Sequence, residues 1–154
     1  MHARALTAEV VGTYFVQFVL FGMLFNFGSS TNVGALPAAV ATGLALMAAT
    51  TSLGLVSGGH FNPAITIGRI AGGRFDVAHA PGFIIAQIFG AVLAAAVYYI
   101  VISAGFLSSP ANAQLGTIAT ISNGFGAQVY QSLVAVLIFD SLAAALLVMI
   151  FMGA

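Results

Sequence analysis

Apolar residues along this chain come in long blocks, and polar residues collect in the gaps between them. The first block runs from about Thr7 to Phe27 and ends at Gly28-Ser29-Ser30-Thr31-Asn32. The second runs from about Pro37 to Val56, the third from about Gly82 to Phe106 and the fourth from about Tyr130 to Met152. At 1.5 Å per residue each is long enough to cross about 30 Å of hydrocarbon, so the pattern predicts four transmembrane helices. Pro37 suits the start of the second, where a missing N–H costs nothing.

The gap between the second and third blocks differs from the others. Ser57 to Ala80 holds Gly58-Gly59, then Asn62-Pro63, then about ten residues of helical character closed by Gly72-Gly73. Asn as N-cap, Pro at the first helical position and Gly beyond the end delimit a helix too short to span. Irregular backbone at membrane depth is tolerated only where protein buries it or where it lines a wet cavity. The segment from 57 to 73 therefore reads as a re-entrant loop with a half-helix.

Composition supports a lipid setting. Of 154 residues, 61% are hydrophobic and 4% charged, against about 25% charged in soluble domains. Mean hydropathy is +1.13. Net charge is zero with no basic run, which argues against nucleic acid as a partner. The absence of Cys removes disulfides, thiol catalysis and thiolate metal sites. His2, His60 and His79 form no helical pair, so neither a metal nor another cofactor is expected. Met1 to Thr7 does not read as a signal peptide, and the first apolar block is expected to stay as a span.

Arg4 is expected to precede the first helix, with Arg69 and Arg74 in the re-entrant region. The connections 28–36 and 107–128 contain no Lys or Arg. The positive-inside rule then puts the N-terminus in the cytoplasm, with a plasma or inner membrane as the expected location. Small residues (Gly43, Ala45, Ala48, Ala49 and Gly90, Ala91, Ala94, Ala95, Ala96) would let the spans approach closely.

Asn62 sits where the short helix begins. Helix starts leave N–H groups unpaired and carry roughly half a positive charge. A pore-facing Asn62 amide could donate to a passing neutral molecule, while the positive field repels a cation or migrating proton. The plainer alternative is that Asn62-Pro63 merely caps a buried helix; the flanking glycines and full-length spans favour the pore. Glu9 and Asp140 are the carboxyls inside predicted spans, and each needs fixed donors at that depth. A proton relay is the weaker reading, because two carboxyls on separate helices without an intervening His make a poor wire.

SGGHFNPAITIG (57–68) resembles the first signature of the aquaporin, or major intrinsic protein, family, and AGGRF (71–75) its aquaporin Z-like branch. Ala8-Glu9-Val10-Val11-Gly12-Thr13 resembles the first-helix motif, Ala86-Gln87-Ile88-Phe89-Gly90-Ala91 the third-helix motif, and Ser122-Asn123-Gly124-Phe125-Gly126 the loop before the fourth helix. The resemblance implies an all-α membrane protein: an aquaporin-like helical bundle with four transmembrane helices, one re-entrant half-helix and an incomplete second repeat. It implies a passive channel for water and small neutral solutes such as glycerol, with protons excluded at Asn62, Pro63 and Ala64. The carbonyls of Gly58, Gly59, His60 and Phe61 would form a ladder along the pore, with His60 bracing the loop. Glu9, Gln87 and Asp140 would brace the structure, although Asp140 stands where the family usually has Glu. A homotetramer in membrane lipid is the implied assembly.

Two departures follow from the same comparison. Thr42 occupies a selectivity-filter position where water-selective members carry Phe, which implies a wider filter with an added hydroxyl. The family is an inverted duplication, and this chain carries a first repeat (1–106), an extracytoplasmic loop (107–127) and the first helix of the second repeat (128–154). Three readings stay open: a truncated fragment, pairing with a separate second half, or pairing of oppositely oriented copies. A non-conducting half-channel acting as an assembly or interaction protein is the alternative function. No nucleophile–base pair or metal set with plausible spacing points to an enzyme.

Overall fold

A computed structural model describes residues 3–27, 36–104 and 133–153. The expected turn at 28–32, the loop at 107–127 and the 122–126 motif lie outside the described residues. Five α-helices follow in order: α1 (Ala3–Phe27), α2 (Leu36–Ser57), α3 (Pro63–Ala71), α4 (Ala80–Ser103) and α5 (Leu133–Gly153), with a 3-10 turn at Val77–His79 ahead of α4. No strand occurs among the described residues, and the protein is an all-α integral membrane protein. Helices α1, α2 and α5, together with the stretch from the 3-10 turn through α4, are long and apolar enough to cross a bilayer.

The helix boundaries largely match the hydrophobic blocks. The first differs: α1 begins at Ala3, so Arg4 lies inside its first turn instead of preceding it. Thr7 Oγ1 donates to Ala3 O at 3.0 Å there, so the polar N-terminal residues join the helix. Pro37 sits in the first turn of α2 and Pro81 in that of α4, where neither ring meets a preceding turn.

Helix α1 is central to the packing, lying against both α2 and α4. The interfaces are built from small residues at four-residue spacing: Ala45 and Ala49 on α2, and Ala86, Gly90 and Ala94 on α4, are buried. Ala48, Ala95 and Ala96 are exposed and Gly43 borders a cavity, so only part of the small-residue pattern serves packing. At the closest crossing a Cβ on Gly90 would stand 2.4 Å from Val10 O and 3.1 Å from Tyr14 N. Only glycine fits that approach of α4 to the backbone of α1. Farther along the same seam, Phe18 and Tyr98 pack at 4.9 Å between ring centroids.

The outward faces carry large apolar side chains, among them Leu44, Leu55, Ile85, Phe89 and Val92. Helix α5 has no buried residue and packs on α3. Without water to satisfy, such surfaces suit lipid or further protein. Helix α3 packs against both α4 and α5, and Ile65 and Thr66 near its start are buried.

Candidate functional site: the re-entrant segment

The chain between α2 and α3 turns through backbone conformations that L-residues rarely adopt. Gly58 has φ 93° and Gly59 φ 66°, both free of a Cβ penalty. Phe61 has φ 49° despite its side chain, a conformation that persists only when the surroundings hold it. Two features hold it. Its ring is buried against Gly12 of α1, where a Cβ would stand 2.1 Å from the ring. Its N–H donates to Glu9 Oε2 at 2.7 Å.

Glu9 is fully buried and collects four hydrogen bonds. Oε1 accepts from Ser57 Oγ at 2.6 Å and from His60 N at 3.0 Å. Oε2 accepts from Phe61 N and from Gln87 Nε2, each at 2.7 Å. Every contact is a donor, so both carboxyl oxygens serve only as acceptors here. Because Glu9 draws the N–H groups of His60 and Phe61 toward α1, their carbonyls are free to turn elsewhere. Among the described residues no hydrogen bond reaches the carbonyls of Gly58, Gly59, His60 or Phe61.

Gln87 extends the network. Its Nε2 also donates to Thr66 Oγ1 at 3.0 Å, and Thr66 Oγ1 lies 3.0 Å from His60 Nδ1. His60 is buried between Phe75 and Phe83, with ring centroids at 4.7 and 5.0 Å. It lies outside the four membrane-spanning helices. Burial, and secondarily the Arg69 charge, lower its pKa from 6.5 to about 4, so the ring is neutral near pH 7. A neutral ring held by Thr66 and two aromatics fits a structural part in the loop.

Asn62 is the N-cap of α3, in extended conformation (φ −155°, ψ 129°), with Pro63 at the first helical position. Its Oδ1 accepts from Ala64 N at 2.8 Å, which leaves the Nδ2 amide without a partner among the described residues. The far end of α3 closes with two short-range bonds, Gly73 N to Ile70 O at 2.9 Å and Arg74 N to Arg69 O at 2.8 Å, with Gly73 at φ 68°. These are the two bonds of a Schellman stop, so both ends of the half-helix are fixed by local chemistry. Arg74 Nη1 donates to Met152 O, which ties this stop to the C-terminal end of α5.

The structure thus brings Glu9, Gln87, His60, Phe61 and the start of α3 into one cluster. It does not bring in Asp140, which is exposed on α5 and receives no hydrogen bond from a described residue. Thr42 is half-buried on α2, and its hydroxyl donates to Ala38 O at 2.7 Å. That bond fixes the hydroxyl proton within the helix, so Thr42 offers its oxygen as an acceptor and its methyl as surface. Ser57 and Thr66 belong to the cluster although sequence reasoning assigned them no role; their place within a turn of Gly58 and Asn62 was the available signal. A cavity of about 430 Å³ lies between α2, α3 and α5, lined by Thr50, Thr51, Arg69, Leu147 and Phe151 among others.

The chain matches the Major intrinsic protein family over residues 1–153. The chain belongs to the major intrinsic protein family. An Aquaporin Z of Photorhabdus laumondii is 39% identical over 132 residues, covering 80% of this chain and 52% of the relative. An Aquaporin Z of Rhodopseudomonas palustris is 35% identical over 131 residues, covering 82% and 51%. Aquaporin NIP1-1 of Arabidopsis thaliana is 41% identical over 94 residues, covering 60% and 32%. The chain spans about half the length of the Aquaporin Z relatives it matches.

Proposed function

We propose that this chain forms one wall of a passive channel for water and small neutral solutes such as glycerol. The observation that carries the reading is the division of labour at 58–62. Glu9 takes the N–H groups of His60 and Phe61, which leaves the carbonyls of 58–61 and the Nδ2 of Asn62 without a partner among the described residues. A row of free acceptors ending at a free donor on a helix N-terminus can pass a molecule that both donates and accepts. The positive end of α3 opposes a cation or a migrating proton at the same place. Pro63 and Ala64 hold that end in position. In this reading the first repeat is 1–106, the N-terminus is cytoplasmic, and an opposing half-helix completes the path in a tetrameric assembly.

Thr42 in place of a bulky aromatic favours passage of solutes larger than water. Flux of water and glycerol into vesicles carrying the purified protein tests both parts. Both fluxes should exceed those of empty vesicles, and Thr42→Phe should lower glycerol flux more than water flux. Unchanged selectivity would remove Thr42 from the path. Flux equal to that of empty vesicles would overturn the conducting reading.

A further inference from the structure

Arg69 projects from the last turn of α3 into the cavity between α2, α3 and α5. It is half-buried, yet its guanidinium makes no ion pair or hydrogen bond with any described residue. A guanidinium carries five N–H donors, and leaving them dry at membrane depth costs several kcal/mol. The cavity around it has apolar walls apart from Thr50 and Thr51. Those hydroxyls donate their protons to Leu46 O at 2.8 Å and Met47 O at 3.0 Å, leaving their oxygens as acceptors. Among the described residues nothing in these walls neutralises the charge, which leaves its solvation to water. The guanidinium also reaches the start of the carbonyl run: Nη1 stands 3.1 Å from the position of a Cβ on Gly58. It lies about 10 Å beyond Asn62 along the helix axis.

We propose that Arg69 is a cation-rejecting residue in a water-filled vestibule between α2, α3 and α5, which admits neutral molecules and concentrates anions before the carbonyls of 58–61. The vestibule is independent of conduction, but its place on a path rests on the channel reading above. A fixed positive charge several ångströms from the approach raises the local level of an anion and lowers that of a cation. Together these shift their ratio about fivefold at low salt.

The absence of native Cys makes the test clean. Thr51→Cys, in purified protein in vesicles, is labelled with anionic and cationic membrane-impermeant thiosulfonates at low salt, with Val92→Cys on the outer face of α4 as the lipid-facing reference. Thr51→Cys should label well above Val92→Cys. Adding Arg69→Gln should lower the anionic-to-cationic rate ratio about fivefold, and Arg69→Lys should preserve it, which excludes a general loss of structure. Labelling no faster than at Val92→Cys, or a ratio unaltered by Arg69→Gln, overturns the proposal. Expected labelling in vesicles that show no water flux would leave the vestibule standing and sink only its place on a conducting path.

Discussion

Replacing Glu9 by Gln keeps the size of the side chain and removes half of its accepting capacity. One of the two carboxyl oxygens becomes an NH2 group. Facing the first oxygen are Ser57 Oγ and His60 N; facing the second are Phe61 N and Gln87 Nε2. The Ser57 hydroxyl and the Gln87 amide can rotate to accept, but a backbone N–H cannot. Whichever way the new amide turns, one buried backbone donor is stranded, at His60 or at Phe61. A buried donor left without a partner costs about 1–3 kcal/mol, and the Ser57 or Gln87 contact must rearrange as well. The loop should lose about 3 kcal/mol of local stability, or about a hundredfold in its opening equilibrium. Hydrogen exchange of the His60 and Phe61 amides, followed in micelles, measures that opening directly. Exchange rates in Glu9→Gln within about threefold of wild type would refute the reasoning, because the carboxyl would then not be what holds the loop.

Gly90→Ala puts a methyl 2.4 Å from Val10 O, and the seam between α1 and α4 must open. Overpacking of this kind costs about 1–3 kcal/mol, read as a lower midpoint of thermal unfolding by circular dichroism; an unchanged midpoint would mean that the helices slide freely. The His60 pKa falls from 6.5 in the unfolded chain to about 4 in the fold, so the folded protein binds fewer protons between those values. Its contribution to stability is whole above about pH 6.5 and declines as pH is lowered toward about 4. His60→Asn should flatten that part of the stability curve, and an identical slope in the variant would contradict it. Asn62→Ala removes the cap on Ala64 N and should cost about 1 kcal/mol while leaving the four spans intact by helical content.

Local chemistry made most of the fold legible. Block length gave the spans, and Asn62-Pro63 with Gly72-Gly73 gave both ends of α3 because capping acts within a few residues. Arg4 was misplaced because the chain offers no capping signal between Met1 and Thr7, so the polar start looked like a lead-in. A carboxyl in a span demands donors, but the demand does not name them. Glu9 meets donors 48 to 78 residues away, whereas Asp140, read by the same rule, faces outward on α5. The pairings of Gly12 with Phe61 and Gly90 with Val10 were equally hidden, since close packing between distant residues leaves no local pattern. Arg69 shows the limit differently: its charge served an orientation argument, and only the cavity beside it raised the question of what solvates it.

In the proposed channel the carbonyls of 58–61 and the Asn62 amide guide water while the start of α3 turns protons away. Vesicles carrying the purified protein and an internal pH dye, challenged together with an osmotic step and a pH step, report both fluxes in one stopped-flow experiment. Water permeability should exceed that of empty vesicles, with proton leak equal to theirs. Water permeability no greater than in empty vesicles, or a proton leak that rises with it, would contradict the account.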